Sequence, residues 1–448
     1  MKHDLTKGNV ATALLAFAGP MILGNMLQQL YNIVDTWVVG KFVGADALAA
    51  VGSAYSLMTF LTSVLIGLCM GSGALLSFYF GRKDDGKLRS CMLSSFVLIG
   101  ALALGICLGV LILQNPILHL LQIPAELLGL MKRYTSIVFL GIFFVFLYNF
   151  FAFVLRAVGN SVIPLVFLGI ASLCNVVLDL YFVLGLEMGL EGAAWATVTA
   201  QALSGIGLGF YTWVKEPRFR FSLGEFLAGE KPMKELFHFS LITSAQQSVM
   251  NFGILMIQGL VNSFGTGVMA AFAAAVKIDT FAYMPAQEFG NAFSIFVSQN
   301  YGAGEKDRLK KGTAGAFAIS GGFCLFISLL VCGKAKELML LFVKPEETEI
   351  LRTGIEYLCI EGIFYIGIGI LFLLYGYFRG INRPGVSLLL TVISLGTRVI
   401  LAYTLAAIPE IGVRGIWFSI PIGWALADVT GVLLIGRKVK DIGSGISA

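Results

Sequence analysis

Asp35 and Asp179 each stand inside a long apolar run, and amides and hydroxyls accompany both at helical spacing. In the run that begins near Ala11, Asn25, Gln28, Asn32 and Asp35 follow at intervals of 3, 4 and 3 residues, so a helix carries all four on one face. Ser172, Asn175 and Asp179 repeat the pattern, and Thr197 adds a hydroxyl in the next run. Two carboxylates in such company can hold a proton, because burial and a neighbouring like charge both favour the neutral acid. If their oxygens converge, they can instead hold a small hard cation such as sodium. Static hydrogen bonding between helices is the bland alternative. Against it, charged side chains inside a bilayer are rare and usually face a bundle interior or a wet cavity.

The elements that must position these residues are membrane spans. Hydrophobic residues make up 57% of the 448 and charged ones 13%, and the mean hydropathy of +0.86 lies outside the range of soluble domains. Apolar runs of about 20 residues or more recur along the chain, where a β-barrel would show short alternating segments. The pattern predicts an all-α polytopic membrane protein with twelve transmembrane helices. They fall at roughly 11–40, 45–80, 90–113, 130–155, 161–186 and 189–214, then 236–262, 268–300, 312–343, 351–378, 384–407 and 412–435. The first is read as a retained helix and not a signal peptide, since no small-residue cleavage site follows a short apolar core. Most of the 31 lysines and arginines, among them Lys83, Arg156, Arg218, Lys306 and Arg437, fall on the side of the first tail. Both termini are therefore expected in the cytoplasm, with the chain in the plasma (inner) membrane. The same asymmetry accounts for the net charge of +5, so no nucleic-acid partner is expected.

The halves repeat. "FVGADALAA" at 42–50 matches "SFGTGVMAA" at 263–271, and "FGRKDDGKLR" at 80–89 matches "YGAGEKDRLK" at 301–310, both 221 residues apart. "LRAVGN" at 155–160 parallels "FRGINR" at 378–383, and "GLEG" at 189–192 parallels "GVRG" at 412–415, now 223 apart. Six spans per half predict two pseudo-symmetric lobes related by an axis along the membrane normal, with a central cleft. The expected division is an N-lobe over 1–214, a cytoplasmic linker over 215–235 and a C-lobe over 236–448.

The second copy does not carry the acids: Met256 and Ala402 stand at the positions matching Asp35 and Asp179. Its seventh span offers Ser244, Gln247, Asn251, Gln258 and Asn262 on one stripe, and Lys277, Asp279, Glu288, Glu361 and Arg398 are its intramembrane charges. Lys277 and Asp279, two apart, do not share a face and need partners on other helices. Glu361 has a coupling reading and a structural one, the latter near the outer interface. Tyr31, Asn32, Asn149 and Met256 are candidate cavity-lining residues, together with Gln28, Gln247, Asn251 and Glu361. Pro20 lacks a backbone donor inside the first span and is expected to kink it, as a hinge or as a packing feature.

No Gly-Lys dipeptide continues into a phosphate-binding loop. His3, His119 and His238 are too dispersed for a metal site, and the seven cysteines form no CxxC pair. No nucleophile and base are paired in the spans. The chain is therefore not expected to be an enzyme or to hold a cofactor, and transport energy is expected from an ion gradient, H+ or Na+.

With those residues in view, the chain resembles the multidrug and toxic compound extrusion (MATE) transporters, in particular their DinF-like and MepA-like branches. The likeness spans nearly the whole length. It is carried by "GPMILGNMLQQLYNIVDTWVVG", "GADALAAVG", "LRAVGN", "NVVLDLYFVLGLEMGLEGAAWAT" and "QNYGAGEKDRLKKG". The resemblance implies an antiporter that exports amphipathic, often cationic, small molecules across the lipid bilayer in exchange for protons or sodium ions. It implies a cation site, with sodium as one occupant, at Asp35, Asn175, Asp179 and Thr197, and a bend at Pro20. The NorM-like branch also uses acids of the seventh and tenth helices; here the seventh has none and the tenth has Glu361. A flippase for a lipid-linked saccharide is the competing reading, for which Lys277 and Arg398 would suit an anionic head group. A monomer is the expected state.

Overall fold

The computed structural model describes residues 4–120, 125–219 and 232–443, without the side chains of 45, 46, 49, 53, 56, 119, 120, 125–127 and 437–443. Residues 220–231 of the expected linker, and His3, lie outside the described residues. A chain in hydrocarbon must satisfy its backbone donors and acceptors within the segment, which forces long apolar runs into helix. The described helices are α1 (Val10–Val38), α2 (Ala45–Gly81), α3 (Asp85–Ile112), α4 (Gln114–Leu120), α5 (Ala125–Ala157), α6 (Val162–Leu180) and α7 (Gly189–Lys215). They continue as α8 (Met233–Asn262), α9 (Thr266–Gly302), α10 (Lys306–Gly333), α11 (Ala335–Met339), α12 (Thr348–Ile363), α13 (Tyr365–Gly380), α14 (Pro384–Ala406) and α15 (Val413–Gly443). Nine spans among the described residues are long and apolar enough to cross a membrane, and α12 with α13 makes a tenth, bent by 53°. The more polar α7 and α8, of 27 and 30 residues, complete the twelve.

Two spans differ from the hydropathy expectation. The tenth is not one helix: Phe364 N–H bonds to Glu361 O at 2.9 Å and Gly367 N–H to Phe364 O at 2.8 Å, three-residue spacings that tighten and break the ladder between Gly362 and Gly367. The ninth stops at Gly333. There Lys334 pairs with Glu337 at 2.9 Å, both exposed, and α11 continues as a short helix.

The chain falls into two compact units. Unit 1 comprises Met1–Lys7, Leu15–Gln247 and Gly302–Gly304; unit 2 comprises Gly8–Leu14, Ser248–Tyr301 and Glu305–Ala448. Unit 1 packs a phenylalanine core between α3 and α5, where Phe96 meets Phe150 at 5.3 Å and Phe146 at 5.7 Å between ring centroids. In unit 2, Phe272 stacks on Trp417 at 5.4 Å and Tyr357 meets Trp417 edge-on at 4.9 Å. The buried Arg379 of α13 donates to Ser294 Oγ at 3.0 Å and to Asn291 Oδ1 at 3.1 Å on α9.

The repeat is also written in the backbone. Positive φ angles recur in pairs at the two offsets: Gly44 with Gly265, Lys83 with Gly304, Gly159 with Asn382, and Gly189 with Gly412. Each pair ends or begins the same helix in its half, so the second copy preserves the turns that set where helices stop.

Close helix approach in unit 2 depends on missing side chains, as small residues allow in membranes. A Cβ on Gly376 of α13 would run into the carbonyl of Gly290 on α9, whereas one on Gly396 of α14 would meet nothing within 4 Å. Gly376→Ala is therefore expected to destabilise the protein by about 1–3 kcal/mol, the usual range for overpacking. Gly396→Ala is expected to leave stability unchanged or slightly raised. Thermal unfolding of the purified protein in detergent checks both.

Candidate cation-coupling site

α1 runs unbroken through Pro20 to Val38, and α6 runs to Leu180. Both helices then widen: Gly44 N–H bonds to Val39 O at 3.2 Å and Leu186 N–H to Tyr181 O at 2.9 Å, five residues apart in each case. Such π-type turns recur at functional sites. Asp35 stands one turn before the first and Asp179 two residues before the second. The two wide turns touch, and Val39 and Val183 share one apolar cluster. The acid-bearing ends of α1 and α6 are thereby fixed side by side.

Asp179 is 0% exposed and Asn175 2% exposed; Asp35 is half-buried. The two carboxyl groups lie within hydrogen-bond reach of one another. No described residue donates to either oxygen of Asp179 or to Asp35 Oδ1, and none of them pairs with the Asn175 carboxamide through its nitrogen or its oxygen. Two ionised carboxylates are acceptors only, so neither can satisfy the other. A proton on one supplies the missing donor, and a small cation between them neutralises both. The orphaned oxygens and amide suit either guest.

Gln28, Tyr31, Asn32, Asp35, Asn149 and Thr197 line a cavity of about 380 Å³ in unit 1, joined by Asn25 from the same face of α1. Asn175 and Ser172 line a smaller pocket of about 40 Å³, and Tyr31, Thr197, Gln201 and Ser204 border both spaces. Of the sequence-derived cation set, Asp35 and Thr197 line the larger cavity, Asn175 and Thr197 the smaller pocket, and Asp179 lines neither but lies beside Asp35. Gln247, Asn251, Met256 and Glu361 do not line the cavity. Gln247 belongs to unit 1 and the other three to unit 2. Glu361 is 1% exposed, with Asp279, Tyr357 and Arg398 as electrostatic neighbours. Lys277 is exposed, so it is not the partner of the buried Asp279.

Three residues escaped the sequence reading. Tyr134 of α5 is 7% exposed, lines the cavity and lies close enough to feel the charge of both acids. Tyrosine is common at span ends, which hides a functional one. Gln201 lines both spaces, and its Oε1 is buried without a donor. Its place one helical turn after Thr197 was a usable signal. Asp428 of α15, whose Oδ1 is also buried and unsatisfied, was likewise not singled out.

Comparison with known proteins gives the same architecture. The MatE family model matches residues 20–181 and 240–404, one match in each half of the repeat. The probable multidrug resistance protein YpnP of Bacillus subtilis (strain 168) is 29% identical over 433 residues, covering 96% of both chains. The probable multidrug resistance protein NorM of Thermotoga maritima is 24% identical, covering 91% of this chain and 88% of that one. A solved outward-facing multidrug resistance MATE family transporter of the MOP superfamily superposes with a TM-score of 0.91, 23% identity and 99% of each chain covered. With both halves matched by one family model, the chain is a multi-pass membrane protein that belongs to the MatE family of transporters.

Proposed function

We propose that the protein exports amphipathic, often cationic organic compounds from the cytoplasm by alternating access, driven by exchange of H+ or Na+ at Asp35 and Asp179, with Asn175 and Thr197 completing the site. It works in the plasma membrane with both termini cytoplasmic, the orientation favoured by its Lys and Arg distribution. The observation that carries this reading is a pair of adjacent acids, half-buried Asp35 on the wall of a cavity and Asp179 fully buried beside it without a donor among the described residues. A carboxylate in the bilayer interior costs about 2.5–3.5 kcal/mol even on the lenient insertion scale, so the empty and cation-filled states differ enough in energy to bias a conformational equilibrium. The volume of about 380 Å³ falls in the usual range for drug-sized ligands, roughly 300–1,000 Å³. Its lining of carboxamides, tyrosines and one acid offers acceptors and π faces to a cation.

The relatives named as multidrug resistance proteins support the same substrate class. The lipid-linked saccharide reading needs cationic groups for an anionic head group. Neither Lys nor Arg lines the unit 1 cavity, and Arg398 already faces Asp279 and Glu361.

Dye efflux from cells expressing the protein tests the proposal. Asp35→Asn is expected to raise dye accumulation to the level of cells lacking the protein; accumulation equal to wild type would overturn the assignment. Tyr134→Phe keeps the ring and removes the hydroxyl beside both acids. Because it removes a polar group near both carboxyls but no donor bonded to either, initial efflux rates are expected to fall only a few-fold at unchanged expression, short of the loss in Asp35→Asn.

A further inference from the structure

The cavity and the smaller pocket of unit 1 share a wall. Tyr31 of α1, Leu168 of α6, and Thr197, Gln201 and Ser204 of α7 border both spaces. The three α7 residues follow at intervals of 4 and 3, so one helical face carries them. On the pocket side stands Asn175, and on the cavity side Asp35. An organic guest in the cavity and an ion near Asn175 would therefore meet across these side chains.

Gln201 brings the uncommitted amide to this wall. Leu168 has no polar group, Ser204 Oγ donates to the Gln201 backbone carbonyl at 2.9 Å, and the Tyr31 hydroxyl lies within hydrogen-bond reach of Gln28. Thr197 is already counted in the ion site. Gln201 Oε1, by contrast, is buried without a donor among the described residues. α5 sets where this amide lies. The two helices approach closely at Gly205, where a Cβ would meet the Phe144 carbonyl oxygen at 2.7 Å. A Cβ on Gly141 would instead run into Gln201 Oε1, the end of a flexible side chain, so a methyl there would displace the amide and leave the helices in place.

The repeat argues against a packing role. At the offset of 223, Gly141, Thr197, Gln201 and Ser204 match Phe364, Ile420, Trp424 and Ala427. The second copy fills these positions without an amide or a hydroxyl, so the scaffold does not need them. What an amide adds is chemistry: its oxygen accepts from a cationic or protonated group or coordinates a hard cation, and its nitrogen donates to an acceptor on an organic guest. One side chain cannot serve both spaces at once. The titratable groups lining or adjoining them are Tyr31 and Asp35 of α1, Tyr55 of α2, Tyr134 and Tyr148 of α5, and Asp179 of α6, with no Lys, Arg or His among the described residues of the lining.

We propose that Gln201 is a coupling residue shared by the two guests: its amide turns to the pocket when the ion is bound and to the cavity when the organic compound is bound, so each guest weakens the other. This role rests on the coupling reading above. The test is ethidium binding to the purified full-length protein in detergent, followed by fluorescence, in sodium chloride against potassium chloride at equal ionic strength and at acid against alkaline pH. In the wild type, sodium or acid is expected to raise the dissociation constant about tenfold, within the usual span of coupling between sites. Gln201→Met keeps the length and removes the amide, and there the rise is expected to shrink to about twofold, since one hydrogen bond to a charged group changes affinity by about tenfold. Gly141→Ala keeps the amide but displaces it, and is expected to shrink the rise as well. A residue that only packs the wall would shift the constant equally under every ion condition. A full rise retained in Gln201→Met would overturn this proposal and leave the coupling reading standing, whereas a wild type indifferent to both sodium and pH would overturn both. If Gln201→Met does not yield monodisperse protein, Gly141→Ala is read in the same way.

Discussion

A carboxylate removed from water must be given a donor or a cation, and unit 1 gives Asp179 neither. Most of what is specific to unit 1 follows from this constraint. The α1 and α6 stripes meet where Asp35 and Asp179 lie within reach of one another, the two wide turns at Val39–Val43 and Tyr181–Gly185 touch, and Tyr134 is close enough to feel both acids. A fixed salt bridge would have removed the problem permanently. Leaving the pair acidic means that its neutralising partner must arrive from solution and can leave again, which is the property an exchange site needs.

The duplicated scaffold solved the same problem twice with different residues. Turns with positive φ recur at matching positions in the two halves, so the helix ends are shared. The chemistry between them is not. Unit 1 gathers two acids with amides and a hydroxyl, and one of the acids, Asp35, opens onto a cavity of about 380 Å³. Unit 2 buries two acids against an arginine and an aromatic group of Phe272, Tyr357 and Trp417. Helix packing depends on shape and small residues, so it tolerates such exchanges as long as volume and buried charge remain balanced.

How much of this was legible in the sequence depends on whether the cause is local. Span number and most boundaries follow from apolar run length, and α3 and α10 each have 28 residues at matching repeat positions. The face shared by Asn25, Gln28, Asn32 and Asp35 follows from helical period alone, and all four line the cavity. The break at Phe364 was invisible because no proline marks it; it arises where the backbone tightens between two glycines. Tyr134 and Asp428 were missed because a tyrosine or a lone acid has no distinctive pattern in one chain, and only the fold shows which face they present.

The central claim is that Asp35 and Asp179 bind the ion whose gradient drives transport. Purified protein in liposomes, with a pH gradient and a sodium gradient imposed separately, tests it most directly. The account predicts that at least one gradient drives movement of an organic cation by the wild type and that neither does so with Asp179→Asn. Transport indifferent to both gradients, or equal in the variant, would contradict it.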